Sequence, residues 1–263
     1  MELINEDLNS IKKILNNSVK NIVDEDVIKN FVSHSGKMVR SSLALLYYKA
    51  LGYSIDENVL KVLTAGELIH NASLLHDDVI DNAEERRGNK TIAKTITPKF
   101  SILAGDYLIV VAMELLLTIK NDKVVSIFNN TAKKMTEGEI KQFFLRNQVP
   151  TKDDYIEICK NKTSALFSSI LKSVAILLNA DEDKASNLGE LFGLIFQINN
   201  DMDYKSAKED DKNGVATALS VLGIENTKIL LDNLKQEISE LTEQIPNNSY
   251  KKGLEDLVSR YVR

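Results

Sequence analysis

The chain has 263 residues, a formal net charge of -5 and 43% hydrophobic residues, enough for one large domain or two small ones. Only 11 Gly and 3 Pro, with long stretches free of both, favour helices almost throughout. Mild acidity without a basic stripe argues against nucleic acid, and the single cysteine, Cys159, excludes an internal disulfide framework and fits a reducing cytosol.

The opening residues, Met1-Glu-Leu-Ile-Asn-Glu-Asp7, lack the basic start and apolar core of a signal peptide, so a cytoplasmic location is expected. Residues 4–19 have the spacing of a weakly amphipathic helix, and a short second helix is expected to reach about Val32. Ser33-His34-Ser35-Gly36-Lys37-Met38-Val39-Arg40-Ser41 then leads into the apolar run Leu43-Ala-Leu-Leu-Tyr-Tyr. Gly36 suits a loop or a helix start, which makes Lys37 and Arg40 i,i+3 neighbours at the head of a core helix. Taken alone, such a pair can equally snorkel from a buried helix.

Next comes the densest chemistry: Glu67-Leu-Ile-His70-Asn-Ala-Ser-Leu-Leu-His76-Asp77-Asp78-Val-Ile-Asp81-Asn-Ala-Glu-Glu-Arg86-Arg87-Gly88. Ser54 with Glu57 reads as a capping box, and Leu60, Leu63, Leu68, Ala72, Leu75 and Val79 recur near helical spacing. On that helix Asp77 and Asp81 fall one turn apart on one face, with His70 two turns upstream of Asp77. Like charges at this spacing repel by about 0.2–0.5 kcal/mol, so a purely structural use is a poor one. Mg2+ takes one or two carboxylates plus substrate phosphates, and the Arg86-Arg87 guanidinium forks suit phosphate oxygens. Acids beside arginines therefore suggest a site for a diphosphate.

Asn89 to Thr97 reads as a polar loop, and Pro98 starts a helix. Its Gly105-Asp106-Tyr107 leads into Leu108–Leu117, apolar nearly all round and therefore expected to be central. The run to Ile119 is too short to span a bilayer and contains Glu114. Residues 122–146 make a further helix with Glu137-Gly138-Glu139 and Gln142, and Pro150, Thr151 and Asp154 mark a fresh N-terminus. Lys162 and Thr163, midway along the next apolar helix, are costly to bury without an anion or another partner. Residues 184–204 repeat the pattern of an apolar helix running into a polar, acid-bearing end, followed by a charged loop from Lys205 to Asn213. Leu231, Leu234, Ile238, Leu241 and Ile245 define a helix packed on the body, and a last helix starts near Ser249. No 20–50-residue repeat or linker interrupts the chain.

Together these residues resemble the trans-type polyprenyl diphosphate synthases, the helical class I prenyltransferases, over about residues 30–220. The resemblance rests on Asp77-Asp78-x-x-Asp81 with Arg86-Arg87-Gly88, preceded by His70. Gly36-Lys37-x-x-Arg40, Gly105-Asp106, Lys162-Thr163 and Phe196-Gln197-Ile198 follow the family's order at about its spacing. It implies a single all-α domain over 1–263, an isoprenoid synthase-type bundle around a central apolar cavity, with N-terminal helices in 1–30 and C-terminal helices in 224–263 packed on the body. It implies condensation of isopentenyl diphosphate with an allylic diphosphate, with Mg2+ as cofactor and Mn2+ as the alternative. Asp77 and Asp81 would ligate the metal and Asp78 support them, with Asn200 and Asp201 as candidate further ligands. Arg86, Lys162, Thr163 and Gln197 would contact the allylic diphosphate, Lys162 with a part in catalysis; Lys37, Arg40, His70 and Arg87 would hold isopentenyl diphosphate. A homodimer is implied, a heterodimer being the alternative, with at most peripheral membrane contact for product release.

Positions five and four before Asp77, Ala72 and Ser73, lie about one helical turn back. Bulky aromatics there give short products in the family, so these small residues imply a product longer than C15. One departure bears on activity. Aligned on Phe196-Gln197-Ile198, the second acidic motif falls on Asn200-Asp201-Met202-Asp203-Tyr204, with Asn and Tyr at the first and last acid positions. The loop after it, with Lys205, Lys208, Asp211 and Lys212, is shortened. Asn offers a carbonyl oxygen without the charge that raises Mg2+ affinity. A second reading therefore stays open: a non-catalytic or weakly active partner subunit of a heteromeric synthase.

Overall fold

The computed structural model describes residues 2–20, 25–33, 36–86, 88–203, 210 and 213–261. The fold is all-α, the extended structure among the described residues being one two-residue β pair, Glu85–Arg86 (β1) with Asn89–Lys90 (β2). The chain divides into two compact units, one of residues 1–45 with 55–125 and the other of 46–54 with 126–263.

The first unit holds α1 (Asn5–Ser18), α2 (Glu25–Ser33), the start of α3 (Val39–Ala50), α4 (Glu57–Ile80), α5 (Ile92–Thr95) and α6 (Pro98–Leu117). The cap of α4 is Asp56, whose side chain accepts from the Val59 N–H at 2.8 Å; the Ser54–Glu57 box is displaced by this nearer acid. Asn89 to Thr97 is more ordered than a loop: Thr91 caps the short α5, and Thr97 with Pro98 opens α6. α4 packs along α6 and α1, and the Ser101 hydroxyl donates to the Leu75 carbonyl at 2.8 Å.

The all-round apolar character of α6 does not make it central. Ala104, Gly105, Leu108, Val111, Ala112 and Leu116 are buried, whereas Leu103, Val110 and Leu117 are 65%, 60% and 61% exposed. Packing against α4 uses one face, and the rest of the apolar surface stays outside. By length and composition α6 could cross a membrane, the one such helix among the described residues, and its inner face is spent on α4.

The second unit contains most of α7 (Asp122–Phe144), α8 (Lys152–Cys159), α9 (Ala165–Leu178), α10 (Glu182–Met202), α11 (Ala218–Thr242) and α12 (Ser249–Ser259). α9 and α11 both pack on α10. Phe167 sits 5.4 Å from Phe192 and 5.5 Å from Phe196, and Tyr261 closes the cluster at 5.1 Å from Phe196. Thr151 caps α8 as the sequence predicts, and Thr217 with Ser220 forms a capping box for α11, which kinks at Gly223. Ile245 lies beyond the end of α11. The predicted continuous helix around Lys162 is broken by a π-helical turn, Lys160–Ser164, joining α8 to α9.

Candidate active site

In the first unit the acids gather where α4 ends. The Asp81 N–H donates to the Asp77 carbonyl at 2.8 Å, so the one-turn spacing survives although Asp81 is the C-cap rather than a helical residue. Asp77 and Asp81 are half-buried. A helix C-terminus carries partial negative charge, so carboxylates gathered there are disfavoured unless a cation is near. Asp78 faces the other way: it is 1% exposed and accepts from Arg86 Nε at 2.6 Å. The turn after α4 delivers that arginine, since the Ala83 N–H donates to the Asp78 carbonyl at 3.0 Å and the Thr91 hydroxyl to the Ala83 carbonyl at 2.9 Å. Asp78 and Arg86 are thus brought together, each fixing the other.

His76 belongs to this end too, although no role for it follows from the sequence pattern. Its Nε2 lies 3.2 Å from the Ile102 carbonyl and 3.3 Å from Asp106 Oδ1. A Cβ at residue 105 would fall inside the imidazole, so Gly105 lets the ring seat on α6 and brace the turn before Asp77. His70 is half-buried, two turns upstream of Asp77. Ala72 is fully buried and Ser73 half-buried, its hydroxyl donating to the His70 carbonyl at 2.9 Å.

Arg40 lies in the first turn of α3 and is 7% exposed; Lys37 is exposed, and Met38 between them takes a left-handed conformation, φ 46°. The Ser41 hydroxyl and N–H donate to Glu67 Oε1 at 2.7 and 3.4 Å, so a buried acid of α4 caps α3 beside Arg40. Glu67 is the one acid of α4 between Glu57 and Asp77, the sequence clue to this role. Arg87 lies outside the described residues, as do Tyr204, Lys205, Lys208, Asp211 and Lys212.

In the second unit the π turn presents Lys162 and Thr163. A Cβ at residue 138 would meet Lys162 Cγ and Asn161 Cβ at 2.9 Å, so Gly138 is what lets α7 approach this widened turn. The Lys162 ammonium pairs with Glu139 and donates to Gln142 Oε1 at 2.5 Å. The Thr163 hydroxyl donates to Gln197 Oε1 at 2.7 Å, and Gln197 Nε2 donates to Asp201 Oδ1 at 2.8 Å. Asp201 Oδ2 accepts from the Tyr155 hydroxyl at 2.6 Å and the Ala218 N–H at 2.9 Å.

Asp201 is 3% exposed with both oxygens engaged, so it is placed inside the fold rather than at a surface a hydrated cation reaches. Burial raises its carboxyl above the ordinary range against the pull of those donors. Burial also lifts the Tyr155 phenol far above its usual range, with Cys159 and Asp201 adding to it. Asn200 is half-buried and Asp203, the C-cap of α10, exposed. Glu139, Gln142 and Tyr155 escape sequence reasoning because their partners lie 20 or more residues away.

Among the described residues no group of three or more His, Cys, Asp or Glu side chains is preassembled for a metal. The half-buried pair Asp77 and Asp81 fits a different demand, that of a hard cation bound through one or two carboxylates and completed by phosphate oxygens.

The chain matches the polyprenyl synthetase family over residues 23–248. It is 36% identical over 200 residues to a decaprenyl-diphosphate synthase of Dictyostelium discoideum, covering 74% of this chain and 43% of that protein. It is 33% identical over 208 residues to a short chain isoprenyl diphosphate synthase of Methanocaldococcus jannaschii, covering 74% of this chain and 63% of that protein. The match thus spans less than two thirds of either relative. The crystal structure of a decaprenyl diphosphate synthase from Rhodobacter capsulatus has the same fold, with a TM-score of 0.89 and 24% identity over 99% of this chain and 97% of that one. The family match runs through both units and takes in the acid-rich end of α4, the π turn and the polar end of α10: the chain belongs to the polyprenyl synthetase family.

Proposed function

We propose that this protein is a trans-prenyltransferase that condenses isopentenyl diphosphate with an allylic diphosphate to give an all-trans polyprenyl diphosphate longer than C15. The observation that carries the reading is the pair of half-buried carboxylates, Asp77 and Asp81, at a negatively polarised helix end in a chain of this family. In the reaction the allylic C–O bond breaks with its electron pair leaving on the diphosphate. The isopentenyl double bond supplies the pair for the new C–C bond, and a proton leaves to restore an alkene.

Asp77 and Asp81 would hold Mg2+, or Mn2+ in its place, which when bound supplies positive charge to the departing diphosphate. Arg86, Lys162, Thr163 and Gln197 add donors and charge toward that same diphosphate, the place where negative charge accumulates. Asp78 acts by holding Arg86. Lys37, Arg40, His70 and Arg87 hold isopentenyl diphosphate, and Ala72 and Ser73 leave room for a long chain. Asn200 contributes a carbonyl oxygen without charge, so metal is held more weakly there. The assignment of Asp201 to metal gives way to an anchoring role, supported by its burial and its three donors. The reading takes residues 1–263 as one domain, supported by the run of the family match through both units, and carries over a homodimer and a cytoplasmic location from the family resemblance.

Purified protein with Mg2+, farnesyl diphosphate and labelled isopentenyl diphosphate yields a labelled product longer than C15, and chelation abolishes it. Turnover that needs a second polypeptide would favour the partner-subunit reading, which the altered second motif, with Asn200 and Tyr204, recommends.

A further inference from the structure

Glu139 and Gln142 are the α7 side chains seen to engage the Lys162 ammonium, and the proposed reaction gives neither a task. The pair is shielded: 24% of the Lys162 side chain and 18% of that of Glu139 are exposed. A shielded carboxylate is an odd neighbour for a lysine whose work is to grip an anion, because it competes for the same charge. Gly138 and the π turn bring the two elements close enough for the pair to form. A diphosphate reaching Lys162 must share the ammonium with Glu139 or take it, and Glu139 recovers it when the diphosphate leaves.

We propose that Glu139 is a positioning residue that parks the Lys162 ammonium, weakening the hold on diphosphate and speeding its release. This rests on the assignment of Lys162 to the allylic diphosphate. A competitor of this kind lowers affinity equally for substrate and released diphosphate, which is useful where product departure limits turnover.

The test is binding of inorganic diphosphate to the full chain by calorimetry in the presence of Mg2+, alongside steady-state kinetics. Glu139→Gln is expected to bind diphosphate about three- to tenfold more tightly, with KM for the allylic substrate and kcat both falling by similar factors. Mere structural damage would raise KM instead. Glu139→Asp, which keeps the charge, returns both values toward the parent. In a Lys162→Met background Glu139→Gln changes nothing. Should Glu139→Gln not fold, Glu139→Ala, which also removes the competing carboxylate, carries the same expectation. Weaker or unchanged diphosphate binding, or a gain that persists without Lys162, overturns the proposal. Diphosphate binding unaffected by Lys162→Met alone rejects the assignment of Lys162 itself, and this inference with it.

Discussion

α4 and α10 end alike and differ in what faces outward. Each helix runs from an apolar body into a polar end, and in each the second residue of the motif turns inward: Asp78 at 1% exposure and Asp201 at 3%. The residues just before them, Asp77 and Asn200, are half-buried. One inward acid is held by a guanidinium, the other by a phenol, an amide and a backbone N–H. The same place in two related motifs thus holds an anchoring acid, and the proposed reaction assigns the working role to the position before it; sequence pattern alone does not separate the two. Loss of charge at position 200 affects the working side and leaves the anchor intact.

The largest effect on stability is expected at Arg86. Arg86→Met removes the guanidinium from a buried carboxylate, and is expected to cost about 3–5 kcal/mol in urea unfolding, because the partner removed is charged. Tyr155→Phe removes one neutral donor of three from Asp201 and is expected to cost about 1–2 kcal/mol in the same measurement. Equal losses at the two sites would erase the distinction between charged and neutral anchoring.

A smaller effect separates the anchors by pH. Burial raises the Asp201 carboxyl above its ordinary value of 3.8, so the folded state binds that proton more tightly than the unfolded chain. Its contribution to stability is therefore full below 3.8 and is lost as pH rises through the folded value. Asp201→Asn lacks this decline, so the stability difference between parent and variant drifts in the variant's favour from acid toward neutral pH. A difference that stays flat would contradict the assignment. The working side is sharpened by Asn200→Asp, which restores a charge: half-maximal activity is expected at about two- to fivefold lower Mg2+. An unchanged Mg2+ requirement would remove Asn200 from the site.

Much of the fold was legible in local chemistry. Pro98 after Thr97, Thr151 before Asp153 and Asp154, and the low Gly and Pro content announce the helices directly. Errors arose where two local solutions compete or where the partner is distant. Asp56 outcompetes Ser54 as a cap, and apolar α6 buries one face because α4 supplies one partner surface. The π turn leaves no periodicity to read, yet it presents Lys162 and Thr163. In the site, the Asp77–Asp81 pair could be named from spacing, since helix geometry fixes neighbours four residues apart, whereas Arg86 reaches Asp78 through the turn beyond the helix. The inward turn of Asp201 could not, because Tyr155 and Ala218 are 46 and 17 residues away from it.

The most direct measurement is steady-state turnover of Asp77→Asn set against its melting temperature. A carboxylate whose main task is to hold the metal predicts a loss of turnover of about 10³-fold or more, with the melting temperature lowered far less than in Arg86→Met. Turnover close to that of the parent, or a loss accompanied by unfolding, would contradict the division between working and anchoring acids.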